Sequence, residues 1–296
     1  MHDAATVLLL REAAGELEVL MMRRGAGLSF MAGMWVFPGG RVDPADAAPA
    51  LRSRVLPATA DRGHEELRTL DGRALEPGAA LALQVAACRE TFEEAGVLLA
   101  RDTDGQPCSP ARVAALQSRR AEVAGDEAAF VALLEAEDLY LDVGPLVYWS
   151  HWITPSVEPK RFDTRFFAVP VPEDQGASAD LGELTHHDWV RPAGVQEAIA
   201  AGRIRVVPPT LLTLEDLAES HARHGSLEAM LSAERGRPAP PIMPRIEAAT
   251  GEIRVIMPWD PGYAATPGEG CEAGEYPGHL RRRRSRIVVS RAREAR

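Results

Sequence analysis

The most constraining stretch of the chain runs from residue 80 to residue 95. It carries no proline or glycine and stops at Gly96. That pattern predicts a long helix with a glycine stop. Its last turns read Arg89-Glu90-Thr91-Phe92-Glu93-Glu94-Ala95-Gly96-Val97. Positions i, i+3 and i+4 share one helical face, so Glu90, Glu93 and Glu94 crowd together. Their mutual repulsion is worsened by the negative end of the helix dipole. A divalent cation removes both penalties, and hard carboxylate oxygens suit Mg²⁺ or Mn²⁺. Val85, Cys88, Phe92 and Ala95 form the opposite stripe, which fits against a core. Arg89 lies one turn before Glu93 and is placed to orient it. Taken alone, an acidic helical face is more often a solvated surface than a metal site.

The rest of the chain supplies context. Residues 5–11 and 17–23 are apolar runs around Glu12-Ala-Ala-Gly-Glu16, a β-hairpin signal. Trp35-Val36-Phe37 stops at Pro38-Gly39-Gly40, a strand entering a loop. Residues 44–79 show weak periodicity and read as an insertion. Two helices fit 110–138, and strands resume at 145–153, 165–171 and near Trp189. Helices follow at 193–201, 210–221 and 225–235. Residues 236–244 read as a linker or extended strap, 245–257 as a hairpin turning at Thr250-Gly251, and Ile287 to Val289 as a last strand. Strands and helices mix without strict βαβ alternation, which predicts an α+β fold.

Composition removes several alternatives. A net charge of −10 argues against a general nucleic-acid binder. No apolar run approaches the roughly 18 residues of a membrane span. Cys88, Cys108 and Cys271 make no disulfide framework, which fits a reducing cytoplasm. Cys88 reads as a buried small hydrophobe. Neither a P-loop nor a Gly-x-Ser-x-Gly elbow is present. His186 and His187 read as loop histidines, and Trp149, Trp152, Phe166 and Phe167 as core, with base stacking a secondary role for one of them.

The segment from Arg89 to Val97, downstream of Phe37-Pro38-Gly39-Gly40, resembles the Nudix box. Gly40 stands for its first glycine and Asp46, after five intervening residues, for its first glutamate, while Thr91 takes a usually aliphatic position. Gly40 and Arg89 lie 49 positions apart; the resemblance implies that about 35 of these, centred on 47–79, are inserted. Counted back from Arg89, Leu81 falls where the family's glutamate pairs with the box arginine. Either Asp46 takes that role across the insertion or the pairing is lost. One branch of the family, which includes the peroxisomal coenzyme A diphosphatase of animals, has such an insertion. It is similar at Val36–Gly40, Arg89–Leu99, Trp152–Pro155, Arg161–Phe167 and Val207–Thr210.

The resemblance implies a Nudix α/β/α sandwich with a mixed sheet over residues 1–235, with residues 236–296 an extension of unassigned role. It implies metal binding by Glu90, Glu93, Glu94 and a backbone carbonyl at Gly39 or Gly40. Catalytic roles fall to Glu93, Glu183 and Arg89. Arg24, Arg161 and Arg165 are the substrate-binding candidates, with the run Arg281 to Arg284 either a solvated tail or a phosphate clamp. The expected partner is a small nucleoside diphosphate-linked molecule, with coenzyme A or acyl-coenzyme A first and ADP-ribose or a dinucleotide second. A homodimer is also expected; nucleic acid and membrane are not. The rival from another class is a silent Nudix ligand-binding module. The chain ends Arg-Glu-Ala-Arg rather than with a peroxisomal Ser-Lys-Leu, and the expected compartment is the cytoplasm.

Overall fold

The computed structural model describes residues 1–296 apart from 26, 28–30, 61–65, 173–174, 178–183, 250–251, 272–274 and 291–296. Strands β1 (His2–Ala13) and β2 (Glu16–Arg24) form the expected hairpin. Its two-residue turn places Ala14 and Gly15 at φ 54° and 77°. Two left-handed residues match the twist of the flanking strands, which fixes the register. β3 (Trp35–Val36) pairs with β2, and β4 (Gly39–Arg41) pairs with β1. β5 (Ala100–Asp102) and β6 (Leu139–Leu141), not foreseen from the sequence, make a separate small ribbon.

Downstream, β7 (Val147–Ile153), β8 (Phe162–Pro170), β9 (Leu184–Val190) and β10 (Pro241–Ile242) complete the main sheet. Among the described residues it runs β10-β7-β8-β1-β2-β3, with β4 added on β1 and β9 on β2. β1 and β8 are parallel while β7–β8 and β1–β2 are antiparallel, so the sheet is mixed. His186 and His187 lie on strand β9, not in a loop, and both are exposed.

Side chains alternate across a strand. Ala5, Val7 and Leu9 therefore enter one core, and Leu8 and Leu10 the other. The first core holds α1 (Pro49–Arg52), α2 (Pro77–Ala95), α3 (Pro110–Gln117), α4 (Arg120–Val123) and α5 (Glu127–Ala136), through Leu51, Phe92, Leu116, Val123 and Phe130. The second holds α6 (Val195–Ala200), α7 (Pro208–His224) and α8 (Leu227–Glu234), through Val195, Leu212 and Leu227. Helices cover both faces, the expected α/β/α sandwich. Trp149, Trp152, Phe166, Phe167 and Cys88 are all buried. Among the described residues, no helix is long and apolar enough to cross a membrane.

The last sixty residues are built into this body. β10 adds to the sheet edge in parallel with β7, so the strap becomes a strand. β11 (Arg245–Ala249), β12 (Glu252–Ile256) and β13 (Arg286–Ser290) form the late hairpin and last strand; the turn at 250–251 lies outside the described residues. Val255, Met257 and Tyr276, with Leu280 of α9 (Gly278–Arg281), enter the second core. The arginine run is solvated in part, with Arg281, Arg282 and Arg284 exposed, but it is anchored to the fold. Arg283 reaches Asp216 at 2.7 Å and Glu219 at 2.8 Å, and Arg284 reaches Glu215 at 2.6 Å, all acids of α7. Arg237 meets the same buried Asp216 at 2.6 Å, so two arginines from the extension share one desolvated carboxylate.

Candidate active site

Helix α2 begins at Pro77, three residues before the expected start. Proline suits the first helical position because its missing N–H has no intrahelical partner there. The helix ends where Gly96 takes φ 68°, a left-handed stop. The expected single apolar stripe is an underestimate. Every residue from Ala80 to Ala87 is buried, because Leu51, Val55 and Leu67 of the insertion join the sheet in packing around it. Arg120 donates to the Glu93 carbonyl at 2.8 Å and to the Glu94 carbonyl at 2.8 Å. That places a cation at the negative end of the helix dipole, where the three glutamates need it.

The insertion leaves the box geometry intact. A side-chain carbon built on Gly40 would stand 2.3 Å from Glu90 Oε1 and 2.6 Å from Oε2. Only glycine therefore lets this backbone lie against the carboxylate. The Gly39 N–H donates to Glu94 Oε2 at 2.8 Å. Gly39 itself has φ 146°, and a Cβ there would meet the Ala5 carbonyl oxygen at 2.3 Å.

Asp46 takes the arginine-pairing role across the insertion. Arg89 Nε donates to its Oδ1 at 2.9 Å, and Arg89 Nη2 to its Oδ2 at 3.0 Å, a fork-to-fork pair. Asp46 is fully buried and Arg89 is 3% exposed. The Asp43 N–H donates to Asp46 at 2.8 Å, closing a capping box that fixes the carboxylate. Arg89 Nη1 reaches Glu90 at 3.1 Å and Glu93 at 3.3 Å. Burial works against the Arg89 charge, but the Asp46 hydrogen bonds and the Glu90 and Asp46 charges outweigh it and raise its pKa. Arg89 does not line the cleft; its guanidinium holds the two carboxylates from behind it.

A cleft of about 670 Å³ opens over Glu90, Glu93, Glu94, Gly39 and Gly40. As placed, the three glutamates do not form a closed cage; among the described residues, no three His, Cys, Asp or Glu side chains are set to hold a metal by themselves. Arg89 draws Glu90 and Glu93 toward itself, and Gly39 holds Glu94. The donor set still fits a hard divalent cation, whose sites use a few carboxylates and leave the rest to water and phosphate. Burial pushes the Glu90 carboxyl up to about 7 even beside Arg89, the strain of crowded desolvated acids that a cation relieves.

The other candidates separate clearly. Arg24 lines the cleft. Arg161 does not; it pairs with Glu269 at 3.0 Å and donates to the Thr154 carbonyl. Arg165 is 1% exposed and tied to Asp163 at 2.7 Å and Asp3 at 2.9 Å. Its guanidinium also donates to the Arg68 carbonyl at 2.8 Å, which braces the insertion. Both arginines, expected at the substrate, face acids and backbone carbonyls of the fold, and neither lines the cleft. Glu183 lies outside the described residues. Arg41, Lys160 and Phe162 line the cleft and went unremarked in the sequence. A signal for Lys160 was present, since it is the only lysine of the chain.

An α/β/α sandwich with a mixed sheet, a glycine turn against an acidic helix and a buried arginine–carboxylate brace defines the Nudix class. The NUDT19 Nudix domain model matches residues 2–217. The chain belongs to the Nudix family, in that domain class. It is 31% identical over 232 residues to human acyl-coenzyme A diphosphatase NUDT19, covering 68% of this chain and 60% of the relative. The chicken protein of the same name is 30% identical over 313 residues, covering 90% of this chain and 80% of that protein. The match thus spans about three fifths of the human relative's length. The crystal structure of a Nudix hydrolase from Alicyclobacillus acidocaldarius superposes with a TM-score of 0.62 at 29% identity, covering 80% of this chain and 98% of that one.

Proposed function

We propose that this chain hydrolyses the diphosphate bond of coenzyme A or an acyl-coenzyme A. Glu90, Glu93 and Glu94, with a backbone oxygen of Gly39 or Gly40, would hold Mg²⁺ or Mn²⁺. The observation that carries the reading is the cleft in which those carboxylates face the glycine turn. The names of the human and chicken relatives support the substrate class. Such a cation supplies charge neutralisation at diphosphate oxygens and acidifies water.

The remaining work falls to the protein. Glu93 is held by Arg89 and by the Gly125 N–H, the latter at 3.4 Å. That fixes a carboxylate at the cleft wall, placed to accept a proton from water. Glu183 is the second candidate for that role. Arg24 and Arg41 line the same cleft and would bring positive charge to the phosphates. Attack of water on one phosphorus breaks one P–O bond and leaves two phosphomonoesters. Retention of all three box glutamates speaks against a silent binding module. A cytoplasmic location and a homodimer belong to the same reading.

The test is kcat/KM for coenzyme A, acetyl-coenzyme A, ADP-ribose and a dinucleoside diphosphate with Mg²⁺ or Mn²⁺. The coenzyme A compounds should lead by about tenfold or more, the scale of discrimination by a polar pocket contact. A lead for ADP-ribose would reassign the substrate. No hydrolysis of any of them would remove the enzymatic reading.

A further inference from the structure

The cleft extends beyond the carboxylates to a feature that the proposed chemistry leaves unused. Lys160, the only lysine of the chain, is exposed in the turn that leads into β8 and lines the same cleft as Glu90 and Glu94. Its ammonium stands 5.3 Å from the centroid of the Phe162 ring, within cation–π reach. Phe162 is half-buried at the start of β8, and His2 packs against it at 6.2 Å between centroids.

Strand register sets the distance from the reaction centre. Phe162 lies opposite His2 of β1, and Gly40 lies opposite Ala5 of the same strand. Three residues separate these rows, about 10 Å at roughly 3.3 Å per residue. Phe162, the ring beside the ammonium, thus sits about 10 Å along the sheet from the glycine turn. That offset matches the far end of a nucleotide extending from a diphosphate seated at Gly39 and Gly40. Arg161 and Arg165, near Lys160 in sequence, are directed to Glu269, Asp163 and Asp3.

We propose that Lys160, steadied by the Phe162 ring, is a specificity-determining residue that binds a phosphate monoester on the nucleoside end of the substrate, as on the 3′-phosphorylated adenosine of coenzyme A. A lysine ammonium acts as a point charge for phosphate and needs no fixed fork geometry. The inference rests on the diphosphatase reading above and adds the group that distinguishes among its substrates.

Two readouts test it, and they fail independently. The only ε-amine in the chain belongs to Lys160, so modification by an amine-selective reagent is read at one peptide by mass spectrometry. Adenosine 3′,5′-bisphosphate carries the monoester without a diphosphate. It should protect Lys160 at concentrations at least about tenfold below those needed for 5′-AMP, the scale of one charge-assisted bond. Equal protection by the two nucleotides, or none, overturns the subsite. In turnover, the wild-type preference for coenzyme A over dephospho-coenzyme A should be about tenfold or more. Lys160→Ala should bring that ratio near one and Lys160→Arg should restore most of it; a preference untouched by Lys160→Ala overturns the subsite. Protection without any hydrolysis of coenzyme A would sink the proposed activity and leave the subsite standing. Hydrolysis without protection would do the reverse.

Discussion

Glu94→Gln and Glu93→Gln should each lower kcat by about two orders of magnitude or more, with the fold retained. The size follows from what the site is asked to supply, since charge stabilisation of a diphosphate by a cation is worth several kcal/mol and each 1.36 kcal/mol is about tenfold in rate. Glutamine keeps the shape of the side chain and its acceptor oxygen, so the Gly39 N–H at 2.8 Å from Glu94 keeps a partner. Removing one of three crowded acids also relieves repulsion, so stability should hold or rise slightly. Steady-state kinetics beside a thermal melt separates the two effects. Activity within a few-fold of wild type would remove these residues from the reaction.

The second large effect is on stability. Asp46→Ala strips the buried Arg89 guanidinium of a two-pronged partner with essentially no water to replace it. Breaking a buried ion pair from one side costs about 3–5 kcal/mol, because the remaining charge is left uncompensated. Glu90 and Glu93 remain within 3.3 Å of Arg89 and offset part of the loss. A chain of this size should then melt on the order of 10 °C lower. Activity should fall too, because Arg89 would draw the two glutamates further from the cleft. Denaturant unfolding of Asp46→Ala beside wild type checks this. A change under about 1 kcal/mol would mean that the brace is not structural.

What the sequence made legible was local. The acidic helix showed itself by a run without proline or glycine ending at Gly96, and the first hairpin by alternation around Ala14-Gly15. The box residues placed Gly40 against Glu90 across the insertion, because their chemistry needs that contact whatever lies between them. The role of Asp46 stayed open, since Leu81 holds the position that spacing alone indicates; only folding of the insertion brings Asp46 under Arg89.

Long-range pairing was not legible. Arg165 looked like a phosphate reader by its neighbourhood, and its partner Asp3 lies 162 positions away. The arginine run near the C-terminus read as a solvated tail or phosphate clamp because the acids of α7 that receive it are distant in sequence. Lys160 stood out in the sequence only as a lone lysine, with no chemistry attached. Nothing beside it suggests a ligand until β8 pairs with β1 and brings it to the cleft.

Cation-dependent cleavage of a diphosphate by these carboxylates is directly measurable. The most direct measurement is phosphorus NMR of coenzyme A incubated with the protein and Mg²⁺, repeated in excess chelator. The diphosphate resonances should disappear, two phosphomonoester resonances should appear beside the existing 3′-phosphate without inorganic phosphate, and nothing should change when chelator is present. Undiminished turnover in chelator, or release of inorganic phosphate in place of the two monoesters, would contradict that chemistry.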